Sequence, residues 1–77
     1  MQKIYNIESL IIENGFLIIN VDEQELRIKL SDVSTKLSNA TLEAQNKFKI
    51  SPSGYGIHWP MIDEDLSVSG LMKVAKS

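Results

Sequence analysis

The chain carries one histidine, His58, and five to seven residues after it an unbroken acidic run, Asp63-Glu64-Asp65. Imidazole is the side chain whose charge ordinarily changes near neutrality, so His58 beside a carboxylate would have the parts of a general base. The same groups could begin a metal site, but neither Asp32 nor Glu43 stands at a spacing that supplies the remaining ligands. Calcium loops alternate their carboxylates and include Gly or Asn, which three consecutive acids do not. His58 therefore reads first as a half-exposed strand residue, on the face opposite Ile57 and Trp59. The acidic run reads first as charge at the N-terminus of a following helix, next as a docking patch for a partner, and last as a cation site. No catalytic, cofactor-binding or metal-binding residue is assigned.

Two aromatic residues flank His58. Trp59 is assigned to the core and Tyr55, in a turn between Gly54 and Gly56, to the surface, where Tyr is a common binding anchor. The two glycines suit a tight turn or bulge and not a phosphate loop, since no Lys-Ser/Thr pair or helix follows them. No Ser-His-Asp triad or nucleophile elbow occurs. Eight Lys and Arg are scattered among ten Asp and Glu, for a net charge of −2. That balance argues against affinity through many phosphate contacts, so direct nucleic-acid binding is not expected.

The elements that must position these groups begin with Asn14-Gly15. Both residues tolerate positive φ, and apolar runs flank them, as in a two-residue hairpin. Lys3 to Glu13 is predicted as strand one, Phe16 to Val21 as strand two and Glu25 to Leu30 as strand three. With Glu23-Gln24 closing the second turn, Val21 would face Leu26, Ile19 would face Ile28 and Leu17 would face Leu30. Leu10, Ile12, Leu17, Ile19, Val21, Leu26, Ile28 and Leu30 then form one core face by period two. The other face holds Ile11, Phe16 and Ile18 among polar residues and needs a cover or a partner. Ser31 is predicted to cap a short helix that ends near Asn39. Thr41 to Asn46 makes a further turn or a loop. Phe48 and Ile50 lie in a short strand, Tyr55 to Trp59 forms a fifth, and Ser67 caps a final helix carrying Val68, Leu71 and Met72.

The expectation is a single α+β domain over residues 1–77, in the order β-β-β-α-β-β-α. Seventy-seven residues without cysteine must fold on one small core, with no disulfide or thiolate–zinc support. A hydrophobic share of 43% is enough for that core. The longest apolar run, Phe16 to Ile19, is too short for a membrane span or signal core. The expected location is the cytoplasm.

The segment Ser51 to Met72 resembles the bacterial domain-of-unknown-function 2442 family. The likeness rests on Gly54-Tyr55-Gly56, Ile57-His58-Trp59-Pro60, Asp63-Glu64-Asp65 and Leu66-Ser67-Val68. The resemblance implies a small α+β domain of bacteria and phages, often encoded beside a second small protein as in toxin–antitoxin pairs. Some relatives add a C-terminal helix-turn-helix domain. A chain read to Ser77 leaves no room for one, so its DNA-binding role is not carried over. The family supplies no catalytic residues to transfer. The expected function is a non-enzymatic interaction domain, an antitoxin-like or adaptor member of a two-gene operon. Its partner would be a small protein encoded nearby or a second copy, met through Ile11, Phe16, Ile18, Tyr55, Asp63, Glu64 and Asp65. The alternatives are a small metal-dependent or general-base enzyme using His58 and the acidic run, and a nucleic-acid-binding regulator.

Overall fold

Two three-stranded antiparallel sheets share one core in the computed structural model, which describes residues 4–75. The first sheet comprises β1 (Ile7–Glu13), β2 (Phe16–Val21) and β3 (Gln24–Lys29) in sequence order. A 3₁₀ turn (Leu30–Asp32) and two short helices follow, α1 (Thr35–Ser38) and α2 (Leu42–Asn46). The second sheet is β4 (Lys49–Ile50), β5 (Gly56–Trp59) and β6 (Glu64–Ser67), and α3 (Val68–Ala75) closes the fold. This is the expected α+β arrangement with one strand more than foreseen.

The first hairpin follows the sequence closely. Asn14 and Gly15 take φ of 51° and 80°, the double positive φ of a type I′ turn, and Ile12 pairs with Leu17 and Leu10 with Ile19 as expected. Strand one starts only at Ile7, with a bulge at Glu8, and Lys3 lies outside the described residues.

The second turn corrects the predicted register. Asp22 and Glu23 are the turn residues, at φ 51° and 67°, so β3 slides by two positions. Val21 now faces Gln24, Ile19 faces Leu26 and Leu17 faces Ile28. Local hydrogen bonds support positive φ at these non-glycine residues. The Asp22 carboxylate accepts from the Asn6 N–H at 3.0 Å, and the Glu8 carboxylate accepts from the Glu23 N–H at 3.1 Å. A shift of two keeps every side chain on its own face, so the core face survives the correction. Leu30 remains buried but lies past the strand, its N–H donating to the Gly15 carbonyl.

The first helix starts later than predicted. Leu30 to Asp32 turn too tightly for Ser31 to cap, because Val33 and Ser34 both donate to the Leu30 carbonyl. Ser34 takes extended backbone and its hydroxyl accepts from the Leu37 N–H at 3.0 Å, making it the cap. Asn39 ends that helix as expected, and Thr41 caps α2.

Between the sheets, Leu17, Ile19, Val21, Leu26 and Ile28 meet Ile57 and Trp59 of β5, Leu37 of α1, and Val68 and Leu71 of α3. Trp59 is fully buried, its indole N–H donating to the Gln45 carbonyl at 2.9 Å. Gln45 in turn donates its side-chain amide to the Leu37 carbonyl, so the helical segment is tied to the core by satisfied polar groups. Among the described residues no helix is long and apolar enough to cross a membrane.

Candidate functional site

The outer face of the second sheet brings His58 together with Asp65 of the acidic run, through a strand the sequence reading missed. After Trp59 the chain turns at Pro60 to Asp63, with Asp63 at φ 51°, and returns as β6 antiparallel to β5. The acidic run therefore does not charge the N-terminus of α3. Ser67 caps that helix alone, accepting from the Gly70 N–H at 3.1 Å.

The three acids go three ways. Asp63 sits in the turn, exposed, with its carbonyl 3.5 Å from the Lys36 ammonium. Glu64 is half-buried and accepts a hydrogen bond from the hydroxyl of buried Ser34, which joins β6 to the cap of α1. Only Asp65 meets the histidine. It lies directly across from His58, and its carboxylate oxygen is 2.8 Å from His58 Nδ1. A carboxylate only accepts, so the proton of a neutral His58 sits on Nδ1 and the Nε2 lone pair is left open. The side chains are 39% and 75% exposed, so solvent and salt screen the pair.

On the other side of β5, Lys49 of β4 pairs with the same histidine, giving a cross-strand row Lys49–His58–Asp65. This row borders an open groove of about 790 Å³ that also meets Ile50, Pro52, Tyr55 and Leu66. Tyr55 is 53% exposed, as foreseen. The loop before β5 is fixed by Ser51, whose hydroxyl accepts from the Tyr55 and Gly56 N–H groups, and by Gly54. Gly54 has φ +70°, and a Cβ there would stand 2.0 Å from the Tyr5 carbonyl oxygen. No group of three metal-ligating side chains converges among the described residues.

The outer face of the first sheet is a grid of three rows. Ser9, Asn20 and Glu25 form a polar row, Ile11, Ile18 and Arg27 a middle row, and Glu13, Phe16 and Lys29 a charged row around an aromatic. Ile18, at the centre, is buried at 8% exposure, whereas Ile11 at the edge is 51% exposed. The Arg27 guanidinium carbon lies 5.8 Å from the centroid of the Phe16 ring. Ile18 is thus covered where Ile11 is not, and the three predicted interface residues do not form one open patch.

Lys49, Ile50, Pro52 and Leu66 escaped the sequence reading. The alternation of Phe48 and Ile50 was visible, but its proximity to His58 depends on a five-residue loop, Ser51 to Tyr55, whose register the sequence does not state. Residues 7–77 match the family model described as "Protein of unknown function (DUF2442)". No curated protein and no solved structure matches the chain.

Proposed function

The chain belongs to the DUF2442 family, and we propose that it acts as a protein-interaction domain without catalysis. In this reading it is the antitoxin-like or adaptor member of a small bacterial two-gene operon, working in the cytoplasm on a small partner protein. The observation that carries the reading is Ile11, an aliphatic side chain 51% exposed in mid-strand on the outer grid of the first sheet. At the far end of the same row, beyond Ile18, Arg27 lies over Phe16, which presents a guanidinium in a restricted geometry. Arginine is among the residues enriched where binding energy concentrates, and Ile11 adds apolar area to the same face. The net charge of −2 favours a basic partner.

The test is co-expression of the tagged chain with the product of its neighbouring gene. A complex should co-purify, and Ile11→Lys should abolish it while leaving the thermal melt of the isolated chain unchanged. Absence of any complex, or a complex indifferent to Ile11→Lys and Arg27→Glu, would overturn the reading.

One observation favours a second reading, a small general-base enzyme. His58 Nδ1 is held by Asp65 at 2.8 Å, which orients the ring as an orienting carboxylate does in catalytic dyads. The separating measurement is turnover: any hydrolase activity lost in both His58→Gln and Asp65→Asn, with the fold retained, would promote this reading over the first.

A further inference from the structure

From the first sheet we infer a further interaction surface: two copies of this chain pair antiparallel along the free edge of β3, joining their three-stranded sheets into one. The turn at Asp22-Glu23 makes Val21–Gln24 a hydrogen-bonded pair, and the antiparallel alternation makes Ile19–Leu26 the next. The bond from the Leu30 N–H to the Gly15 carbonyl keeps the same phase at the other end of the strand. The main-chain groups of Glu25 and Arg27 therefore point away from β2, and among the described residues no other strand or side chain meets them. An open edge of this kind is a template for another strand. The opposite edge, β1, is blunted by its bulge at Glu8, whereas β3 has neither bulge nor proline.

The side chains decide the occupant. Glu25, Arg27 and Lys29 lie exposed on the outer face, and none has an ion-pair partner among the described residues. Acids come first along this segment, at Glu23 and Glu25, and bases last, at Arg27 and Lys29. An antiparallel second copy reverses that order. With the two-fold axis beside Leu26, Glu25 and Arg27 stand opposite Arg27 and Glu25 of the second copy, and their free main-chain groups bond to each other. Glu23 then comes opposite Lys29 of the second copy, so each charge meets its opposite. A slide of two residues sets Glu25 against Glu25 or Arg27 against Arg27, and a parallel copy in register sets like against like throughout. An edge charged only to prevent pairing would need one sign; here two signs are ordered so that a single register is favoured. The edge is only six residues long, so the interface falls under about 1,200 Å² and the dimer dissociates in dilute solution. Ile11 stays open on β1, at the far side of the sheet, for a different partner.

The test is sedimentation equilibrium with amide hydrogen exchange on the isolated full chain, from about 10 µM to about 1 mM. The weight-average mass should rise toward twice that of the chain, and the Glu25 and Arg27 amides should become protected as it rises. Glu25→Arg and Arg27→Glu each turn both symmetric pairs into like charges, and each should weaken the dimer by about tenfold or more. Mixing the two variants restores opposite charges at both pairs, so the mixture should dimerise where neither variant does. Both positions are exposed, and circular dichroism checks that each variant keeps its fold. A chain still monomeric at about 1 mM, a dimer unmoved by either variant, a mixture no better than its components, or protection confined to β1 would overturn the inference. The readouts use the isolated chain, and Glu25→Arg leaves Ile11 and Arg27 in place, so failure here is distinct from failure to bind the product of a neighbouring gene.

Discussion

The two sheets reach order by opposite means. The first is built from strands of seven, six and six residues joined by two-residue turns, and its side-chain pattern alone assigns every residue past the Glu8 bulge to a face. The second has strands of two, four and four residues, too short for a ladder to hold them. It depends on single anchors from elsewhere in the chain: Trp59 bonded to Gln45, Glu64 to Ser34, and Gly54 against Tyr5. Stability in the first sheet is distributed, and in the second it is concentrated at a few contacts. The open groove belongs to the sheet held from behind, whose outer face is left free for other use.

The harshest way to break this comparison is a charge in the shared core. Ile19 has no exposure and sits where both sheets meet, so Ile19→Asp would bury an unpaired carboxylate. A domain of this size has about 5–15 kcal/mol in total to lose, and the expected outcome is loss of the cooperative melt by circular dichroism. Arg27→Asp, on the outer face of the same sheet, should lose only the exposed contact with Phe16, under about 1 kcal/mol. Equal damage from the two changes would refute the assignment of faces.

Next in size is the anchor of the second sheet. Trp59→Ala removes the largest fully buried side chain and leaves the Gln45 carbonyl without its donor, an expected loss of about 3–5 kcal/mol in urea denaturation. The signature of a concentrated anchor is selectivity. Hydrogen exchange should rise in β4 to β6 before it rises in β1 to β3. Uniform acceleration would show that the sheets unfold as one unit and that stability is shared evenly.

Gly54→Ala tests a lesser anchor by a different physical route. The backbone there lies in the left-handed region, and the added methyl meets a carbonyl oxygen that cannot rotate away. Strain of about 1–3 kcal/mol is expected, read as a lowered urea midpoint with an unchanged slope.

What could be read in the sequence follows the same division. The face assignments of β1 to β3 were legible because period two and a hairpin turn are local signals. The placement of the second turn was not, because hydrogen bonds with Asn6 and Glu8, sixteen and fifteen residues away, select Asp22-Glu23 over Glu23-Gln24. Trp59 as core and Tyr55 as surface were legible from residue type and turn context. The strand through Asp63-Glu64-Asp65 was not, since consecutive acids carry poor strand propensity and β6 forms only against β5. The candidate site inherits that failure. His58 and Asp65 were named separately, but their contact follows from a register that tertiary packing sets.

The finest test of the comparison is the outer grid of the first sheet, where the smallest effects are expected. Ile11 and Ile18 are cross-strand neighbours of identical chemistry, one 51% and one 8% exposed. Ile11→Lys removes little buried area and should change stability by no more than about 0.5 kcal/mol. Ile18→Lys takes an apolar side chain out of a position closed by its neighbours. Its row neighbours Ile11 and Arg27 are exposed, so the lysine stem can follow the surface to water, and the cost should be about 1–2 kcal/mol and not global unfolding. Thermal melts of the two variants, compared with each other and not only with the parent, isolate the effect of position at constant chemistry. A difference near 1 kcal/mol in that order fits a grid that closes over its own centre. Equal and negligible losses would mean that Ile18 is open to solvent and that the face is flat. Unfolding by Ile18→Lys alone would mean that another part of the chain covers the face and that the partner surface lies elsewhere.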